Sequence, residues 1–299
     1  MTSVRSKAIL LALRTSKLFS TPITLDNLKS KREGVAKLAK FAVVNKDVSI
    51  KPYKTKDFKG EWIKVPESRD DKVLLYFHGG GFIFNFTPHH RDYISRLART
   101  SRFKALSLDY SLAPENPYPV AVNEAMSAYK WLLESYKPQD IVVMGDSAGG
   151  AMTLSLLQMI KRDKLQMPAC AIAIAPPTDA TLESYKKYSK PNDYIIKDDN
   201  LDFFMDLYFK DTPRNDPIAS PLFGDYKDLP PIMIHIDKSE VLYGDAVALV
   251  KKAKSAGVEA ELYEEQGLWH VWHIFARFVP EGQKAIDNIA RFINKYSQD

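Results

Sequence analysis

The sequence predicts an α/β fold, a mostly parallel eight-stranded sheet flanked by helices. Three observations predict it. Short apolar, β-prone runs alternate with helical stretches along most of the chain, the mark of a parallel sheet covered on both faces. A glycine run, His78-Gly79-Gly80-Gly81-Phe82, directly follows one of these strands. A second, Gly145-Asp146-Ser147-Ala148-Gly149-Gly150, follows another strand and opens a helix.

Residues 1–45 read as helical, with no strand partners. Within them Arg5 and Lys7 precede Ala8-Ile9-Leu10-Leu11-Ala12-Leu13, a faint likeness to a signal peptide. Arg14 and Lys17 interrupt that run and no small-residue cleavage site follows. Residues 1–19 are therefore read as an amphipathic helix packed on the rest of the chain, a helix lying on a membrane being the alternative. Residues 48–53 and 61–65 are two early strands. Lys72-Val73-Leu74-Leu75-Tyr76-Phe77 is a buried strand. A helix over 90–100, a strand over 104–109, a helix over 121–135 and a strand over 141–144 follow. The nearly all-apolar stretch from Ala151 to Ile160 is a buried helix, and residues 169–175 are the next strand.

Residues 178–217 break the alternation. They are rich in Lys, Asp, Tyr and Phe and include Leu201-Asp202-Phe203-Phe204-Met205-Asp206-Leu207-Tyr208-Phe209. The segment is read as a helical cap insertion whose aromatics partly line a pocket, rather than as an insertion with a small core of its own. A strand over 232–236, a helix over 244–256, a strand over 258–263 and a helix over 283–296 complete the chain. The expected organisation is a helical cap from residues 1–45 and 178–217 over a catalytic domain of residues 46–177 and 218–299.

The glycine motifs carry the chemistry. G-x-S-x-G between a strand and a helix is the turn that exposes a nucleophilic serine at the top of an α/β-hydrolase sheet. With 13 glycines in 299 residues, a given serine is flanked in this way by chance about twice in a thousand cases. Three glycines after one of only six histidines is rarer still. A run of that type supplies backbone N–H groups to an oxyanion hole, here Gly79 and Gly80, with Ala148 after the serine. His78 is expected to brace the loop and Asp146 to support the turn. Ser147 needs a base, and in this fold the order is Ser, acid, His. Three histidines follow it. His235 lies within a strand and reads as structural. His270 falls in a loop after the last strand, where the base belongs, and His273 lies three residues further on. Asp237, Glu240 and Asp245 all follow the strand at 232–236, and position alone does not separate Asp237 from Glu240.

Composition is ordinary for a globular enzyme, 45% hydrophobic and 26% charged. The net charge of +5 is spread over many lysines, so nucleic-acid binding is not expected. A single cysteine, Cys170, excludes an internal disulfide and a cysteine metal site. No metal motif such as H-E-x-x-H is present, and neither metal nor cofactor is expected. No run approaches the length of a membrane span, so stable membrane insertion is not expected and cytoplasmic location is the default.

Taken together, HGGGF, the segment DYSLAPENPYP over 109–119, GDSAGG and the late GLWHVWHIF resemble the hormone-sensitive lipase family (family IV) of bacterial carboxylesterases. The resemblance runs from about residue 48 to the end. In that family the acid sits in a D-x-L segment about thirty residues before the histidine. Glu240-Val241-Leu242 matches it with Glu for Asp, which implies a Ser147–Glu240–His270 triad with Asp237 as runner-up. Two positions depart from the family pattern: Ser111 stands for its Arg, and Gly244, followed by Asp245, for its second Asp. The resemblance implies hydrolysis of short- to medium-chain acyl esters, with lactones or amides as alternatives, and a possible homodimer through the last strand. A non-catalytic ligand-binding protein on the same scaffold is the remaining alternative; its type lacks the histidine that His270 supplies here.

Overall fold

A computed structural model describes residues 2–15, 21–39, 43–188, 193, 195–196 and 198–297. Eight strands form one sheet: β1 (Ser49–Lys54), β2 (Lys59–Lys64), β3 (Arg69–Phe77), β4 (Phe103–Leu108), β5 (Ile141–Asp146), β6 (Cys170–Ile174), β7 (Ile232–Asp237) and β8 (Ala260–Glu265). Their order in space is β1-β2-β4-β3-β5-β6-β7-β8. β1 pairs antiparallel with β2, and β2 with β4. From β4 to β8 every pairing is parallel, because each strand there returns through a helical crossover. The inner strands β5, β6 and β7 are buried at every residue, which is why their sequences are almost continuously apolar.

Register sets the site. Phe77 lies opposite Gly145, Asp146 opposite Ile174, and Ile174 opposite His235. The ends of β3, β5 and β7 are thereby level, and the loops after them leave the same edge of the sheet. In open parallel sheets that edge is where ligands bind.

Among the described residues the helices are α1 (Val4–Thr15), α2 (Leu25–Ala39), α3 (Pro88–Ser101), α4 (Val120–Leu133), α5 (Ala148–Arg162), α6 (Glu183–Tyr188), α7 (Asp198–Phe209), α8 (Tyr243–Ser255) and α9 (Pro280–Tyr296). α5 is buried from Ala148 to Ile160 and crosses so close to β3 that a methyl on Gly149 would strike the Phe77 carbonyl oxygen. α3 starts at Pro88, two residues before the predicted start. Thr87 and His90 close a capping box there, with Pro at the first turn. β8 starts two residues later than predicted, since the Val258 N–H is used to close α8, donating to the Ala253 carbonyl at 3.0 Å.

The helical reading of residues 1–45 meets two helices, α1 and α2, with positions 1, 16–20 and 40–42 outside the described residues. The reading of 178–217 meets α6 and α7, with 189–192, 194 and 197 likewise outside. α1 rests Ile9, Leu10 and Leu13 on a buried cluster around Trp269 and Trp272. Ser6 Oγ, which is fully buried, donates to Glu281 at the start of α9 over 2.8 Å.

Candidate active site

Ser147 stands between β5 and α5 with φ 51° and ψ −122°, a backbone region that non-glycine residues rarely occupy. The strain is held by a 2.7 Å bond from the Ser147 N–H to the Ile174 carbonyl and by the tight passage at Gly145 and Gly149. Ser147 is 9% exposed. Its Oγ lies 2.8 Å from His270 Nε2. On the far side of the ring, His270 Nδ1 meets Glu240 Oε2 at 2.5 Å. Glu240 Oε1 accepts the Asp237 N–H at 2.8 Å, so both carboxylate oxygens are fixed.

Burial pushes Glu240 up to about 7, against the pull of the His270 imidazole. Burial works to lower His270, but the charge and hydrogen bond of Glu240, with Asp193 and Asp146 behind it, carry it above the ordinary imidazole value.

The structure separates the acids that sequence position left together. Asp237 Oδ1 accepts from Ser239 N–H at 2.9 Å and from Ser239 Oγ at 2.6 Å. Its Oδ2 accepts the Leu268 N–H at 2.8 Å. It ties the loop bearing Glu240 to the loop bearing His270. Asp245 takes the Thr178 and Asp179 N–H groups at 2.6 and 3.0 Å, and burial raises it to about 6. His273 Nε2 lies 3.0 Å from Nδ1 of the β7 histidine, His235. Both imidazoles are fully buried and held down by that burial.

Gly79, Gly80 and Ala148 line one cavity with Ser147 and His270. His78 is fully buried, stacked on Tyr110 at 4.2 Å, and its Nδ1 lies 2.7 Å from the Gly79 carbonyl. Burial pushes it down to about 4, so it is neutral near pH 7. Asp146 accepts from the Tyr76 hydroxyl and presses so closely on Gly79 that a Cβ there would overlap its carboxylate. Ser111, where the resembled family has Arg, binds Glu124 through both N–H and Oγ at 2.7 and 2.6 Å.

The cavity holds about 640 Å³. Its walls are apolar: Ile9 and Leu13 of α1, Val35 of α2, and Leu201, Phe204 and Met205 of α7 all face it. The other aromatics of α7 pack elsewhere. Tyr208 stacks on Phe82, beside the glycine run, with centroids 3.7 Å apart.

A model of the alpha/beta hydrolase fold matches residues 74–274. An acetyl-hydrolase of Streptomyces hygroscopicus is 34% identical over 235 residues, 78% of each chain. An esterase of Acinetobacter venetianus is 31% identical over 258 residues, 85% of each chain. The crystal structure of an esterase from the bacterial hormone-sensitive lipase family superposes with a TM-score of 0.91 at 32% identity, covering 99% of both chains. The chain belongs to the α/β-hydrolase family, in its hormone-sensitive lipase group.

Three features of this α/β hydrolase escaped the sequence reading. Asp193, in the insertion, is buried, and one of its oxygens lies within 4.8 Å of ligand atoms of both Glu240 and His270. It accepts the N–H groups of Ile195, Ile196 and Val241 at 2.8, 3.0 and 3.2 Å, joining a cavity wall to the residue after Glu240. Arg32 of α2 donates to the carbonyls of Ile83 and Ala113, each at 2.7 Å, and pairs with Glu115 at 2.7 Å. It thus pins a helix of the cavity wall to the chain just beyond the glycine run. Val271, next to His270, has φ 53°, a second strained residue at the site. Asp193 offered one legible signal, as a short acidic side chain ahead of backbone N–H groups it can cap.

Among the described residues no helix is long and apolar enough to cross a membrane.

Proposed function

We propose that this hydrolase cleaves short- to medium-chain carboxylic esters through an acyl-enzyme on Ser147. The observation that carries the reading is the hydrogen-bonded line Ser147–His270–Glu240 ending in an apolar cavity. Ser147 Oγ attacks the ester carbonyl carbon while His270 Nε2 takes the hydroxyl proton. The C–O bond of the tetrahedral adduct breaks as His270 returns that proton to the leaving alcohol. Water then attacks the acyl-enzyme, again losing its proton to His270, and the carboxylic acid leaves as Ser147 regains its hydrogen. Glu240 holds the tautomer with Nδ1 protonated and stabilises the imidazolium. The N–H groups of Gly79, Gly80 and Ala148 bind the oxyanion, each worth about 3 kcal/mol in the transition state. His78, neutral and stacked, braces the glycine loop, and Asp146 supports the turn.

A cavity of about 640 Å³ with apolar walls suits acyl chains below about ten carbons, and α1, α2 and α7 act as its cap. The acetyl-hydrolase name of the Streptomyces relative points to the short end of that range. β8 lies at the edge of the sheet, and pairing there with a second copy gives the homodimer. A cytoplasmic location suits the lone buried thiol of Cys170.

Turnover of p-nitrophenyl esters from acetate to palmitate tests the reading. Saturable hydrolysis peaking below about ten carbons, abolished in Ser147→Ala, is expected. A folded wild type that hydrolyses none of them, or a Ser147→Ala variant of undiminished rate, overturns it.

A further inference from the structure

α1 has two apolar faces, and the fold uses one. Ile9 and Leu13 line the cavity, and with Leu10 they rest on the cluster around Trp269 and Trp272. Val4, Ala8 and Leu11, spaced i, i+4 and i+7, form a second stripe on the opposite side of the helix. Val4 is 83% exposed and Leu11 62% exposed. At the start of α2, Leu25 is 61% exposed. A water-soluble surface has no need of such a stripe, and a contiguous apolar strip rimmed by polar residues marks a binding face.

Its rim is basic. On the helical wheel Arg5 flanks the stripe on one side and Lys7 and Arg14 on the other, and α1 contains no acidic residue. The surrounding chain extends the pattern. Residues 1–40 hold nine Lys or Arg and two acidic residues, a charge of +7, while the whole chain carries +5. All the remaining residues together are therefore slightly acidic, at −2. The positive charge of this protein is concentrated in the segment that carries the exposed apolar stripe.

We propose that the outer face of α1 docks on an anionic phospholipid surface, with Val4, Ala8 and Leu11 entering the headgroup boundary and Arg5, Lys7 and Arg14 meeting lipid phosphates. An apolar stripe between basic flanks is the arrangement of helices that lie in a membrane interface, and each basic residue near an anionic leaflet strengthens binding about fivefold. A second copy of the chain is the less suited occupant, because it would bring another +7 segment against this one. Docking sets the inner face of the same helix, a wall of the cavity, at the lipid boundary. The surface stands on α1 and the charge distribution, independently of the reaction assigned to Ser147.

Flotation with vesicles of phosphatidylcholine, and with vesicles in which about a third of the lipid is phosphatidylglycerol, reads the binding. The full chain is expected to float only with the anionic vesicles, and less so as salt is raised. Arg5→Glu/Lys7→Glu is expected to weaken binding at least tenfold, roughly, by the same per-residue scale. Val4→Asp/Leu11→Asp is expected to abolish it. Both variants leave hydrolysis of soluble p-nitrophenyl butyrate, and the thermal melt, at wild-type values, since neither touches the inner face. No flotation of the wild type with anionic vesicles overturns the proposal. Charge-reversed protein that binds as well as wild type overturns it too. So does binding that survives Val4→Asp/Leu11→Asp, which reduces the surface to diffuse charge. A dimer in light scattering that Val4→Asp/Leu11→Asp converts to monomers assigns the stripe to a second copy instead.

Discussion

Two carboxylates near one imidazole divide their labour. Glu240 touches His270 at 2.5 Å; Asp193 lies behind the pair and spends its oxygens on backbone N–H groups. Removing the first takes away the group that, in the proposed reaction, orients the base. Glu240→Ala is expected to lower kcat by about 10³- to 10⁴-fold with KM little changed, read from steady-state kinetics on a soluble ester. Asp237→Asn, which loosens the loop at Leu268 without touching the ring, should cost far less in kcat and more in stability. Asp193 acts through charge as well as anchoring. Its carboxylate favours the protonated imidazole, alongside Glu240 and Asp146, and catalysis needs the ring neutral. Asp193→Asn is therefore expected to move the acid limb of kcat/KM to lower pH. An unmoved limb with a raised KM would reduce Asp193 to a tether for Ile195 and Ile196. That Ser147 and His270 would meet was legible in the sequence, because the proposed chemistry needs a local pattern at each, glycines beside the serine and a loop after the last strand. Glu240 needed the spacing of a known family. Asp193 gave only a capping signal; its place beside the pair was hidden because it depends on packing across 47 positions of chain, between a charged insertion and the loop after β7.

At the scale of elements, the cavity is walled by pieces distant in sequence, and α7 does two jobs. Leu201, Phe204 and Met205 face the cavity, while Tyr208 stacks on Phe82 and so steadies the glycine loop from outside. The pocket-facing role of the aromatic stretch was readable as a tendency; the split between its two faces was not, since both faces are apolar. Phe204 stands so near Gly81 that a Cβ on the glycine would lie 3.3 Å from its ring. Phe204→Ala is expected to lengthen the preferred acyl chain by about two to four carbons, the volume of the ring becoming room for methylenes. The same ester series that tests the reaction measures it. The inner strands were the best-read elements, because full burial on both sheet faces forces continuous apolar runs. Their ends were less well read: the starts of α3 and β8 each lie two residues from the expected place, moved by the Thr87–His90 cap and by the closing turn of α8. Arg32 was hidden for a different reason. It sits in a basic helix where one arginine looks like another, yet it alone reaches the Ile83 and Ala113 carbonyls.

The molecule as a whole buries titratable groups of opposite tendency, and their balance fixes how stability depends on pH. Burial holds His78 down to about 4 and His235 down to about 3, and lowers His273 as well. Unfolded, all three bind a proton below about pH 6.5. Glu240 and Asp245 are raised by burial to about 7 and about 6, so around pH 5 the folded chain keeps two protons that the unfolded chain releases as pH rises past about 4 to 4.5. Around pH 5 the unfolded state therefore binds three extra protons and the folded state two. The net excess of one favours unfolding as pH falls, by about 1.4 kcal/mol per pH unit. The opposition of the two carboxyls ends only below about pH 4, where the unfolded chain protonates them too. His78 charges in the folded chain over that same range, so the slope stays at about one to two protons on the acid side. Above about pH 6.5 the sign reverses, because the Glu240–His270 pair holds a proton that the unfolded chain has lost. Urea midpoints at about pH 8, 6.5, 5.5 and 4 are expected to peak near pH 6.5 and to decline steadily on the acid side. His273→Gln, which leaves the serine and its base in place, removes one of the three silent imidazoles and should take away most of the slope around pH 5. An acid slope unchanged in that variant would move the acid sensitivity from the buried histidines to the paired surface carboxylates, such as Asp70 and Asp163, whose partners hold them below the ordinary carboxylate range.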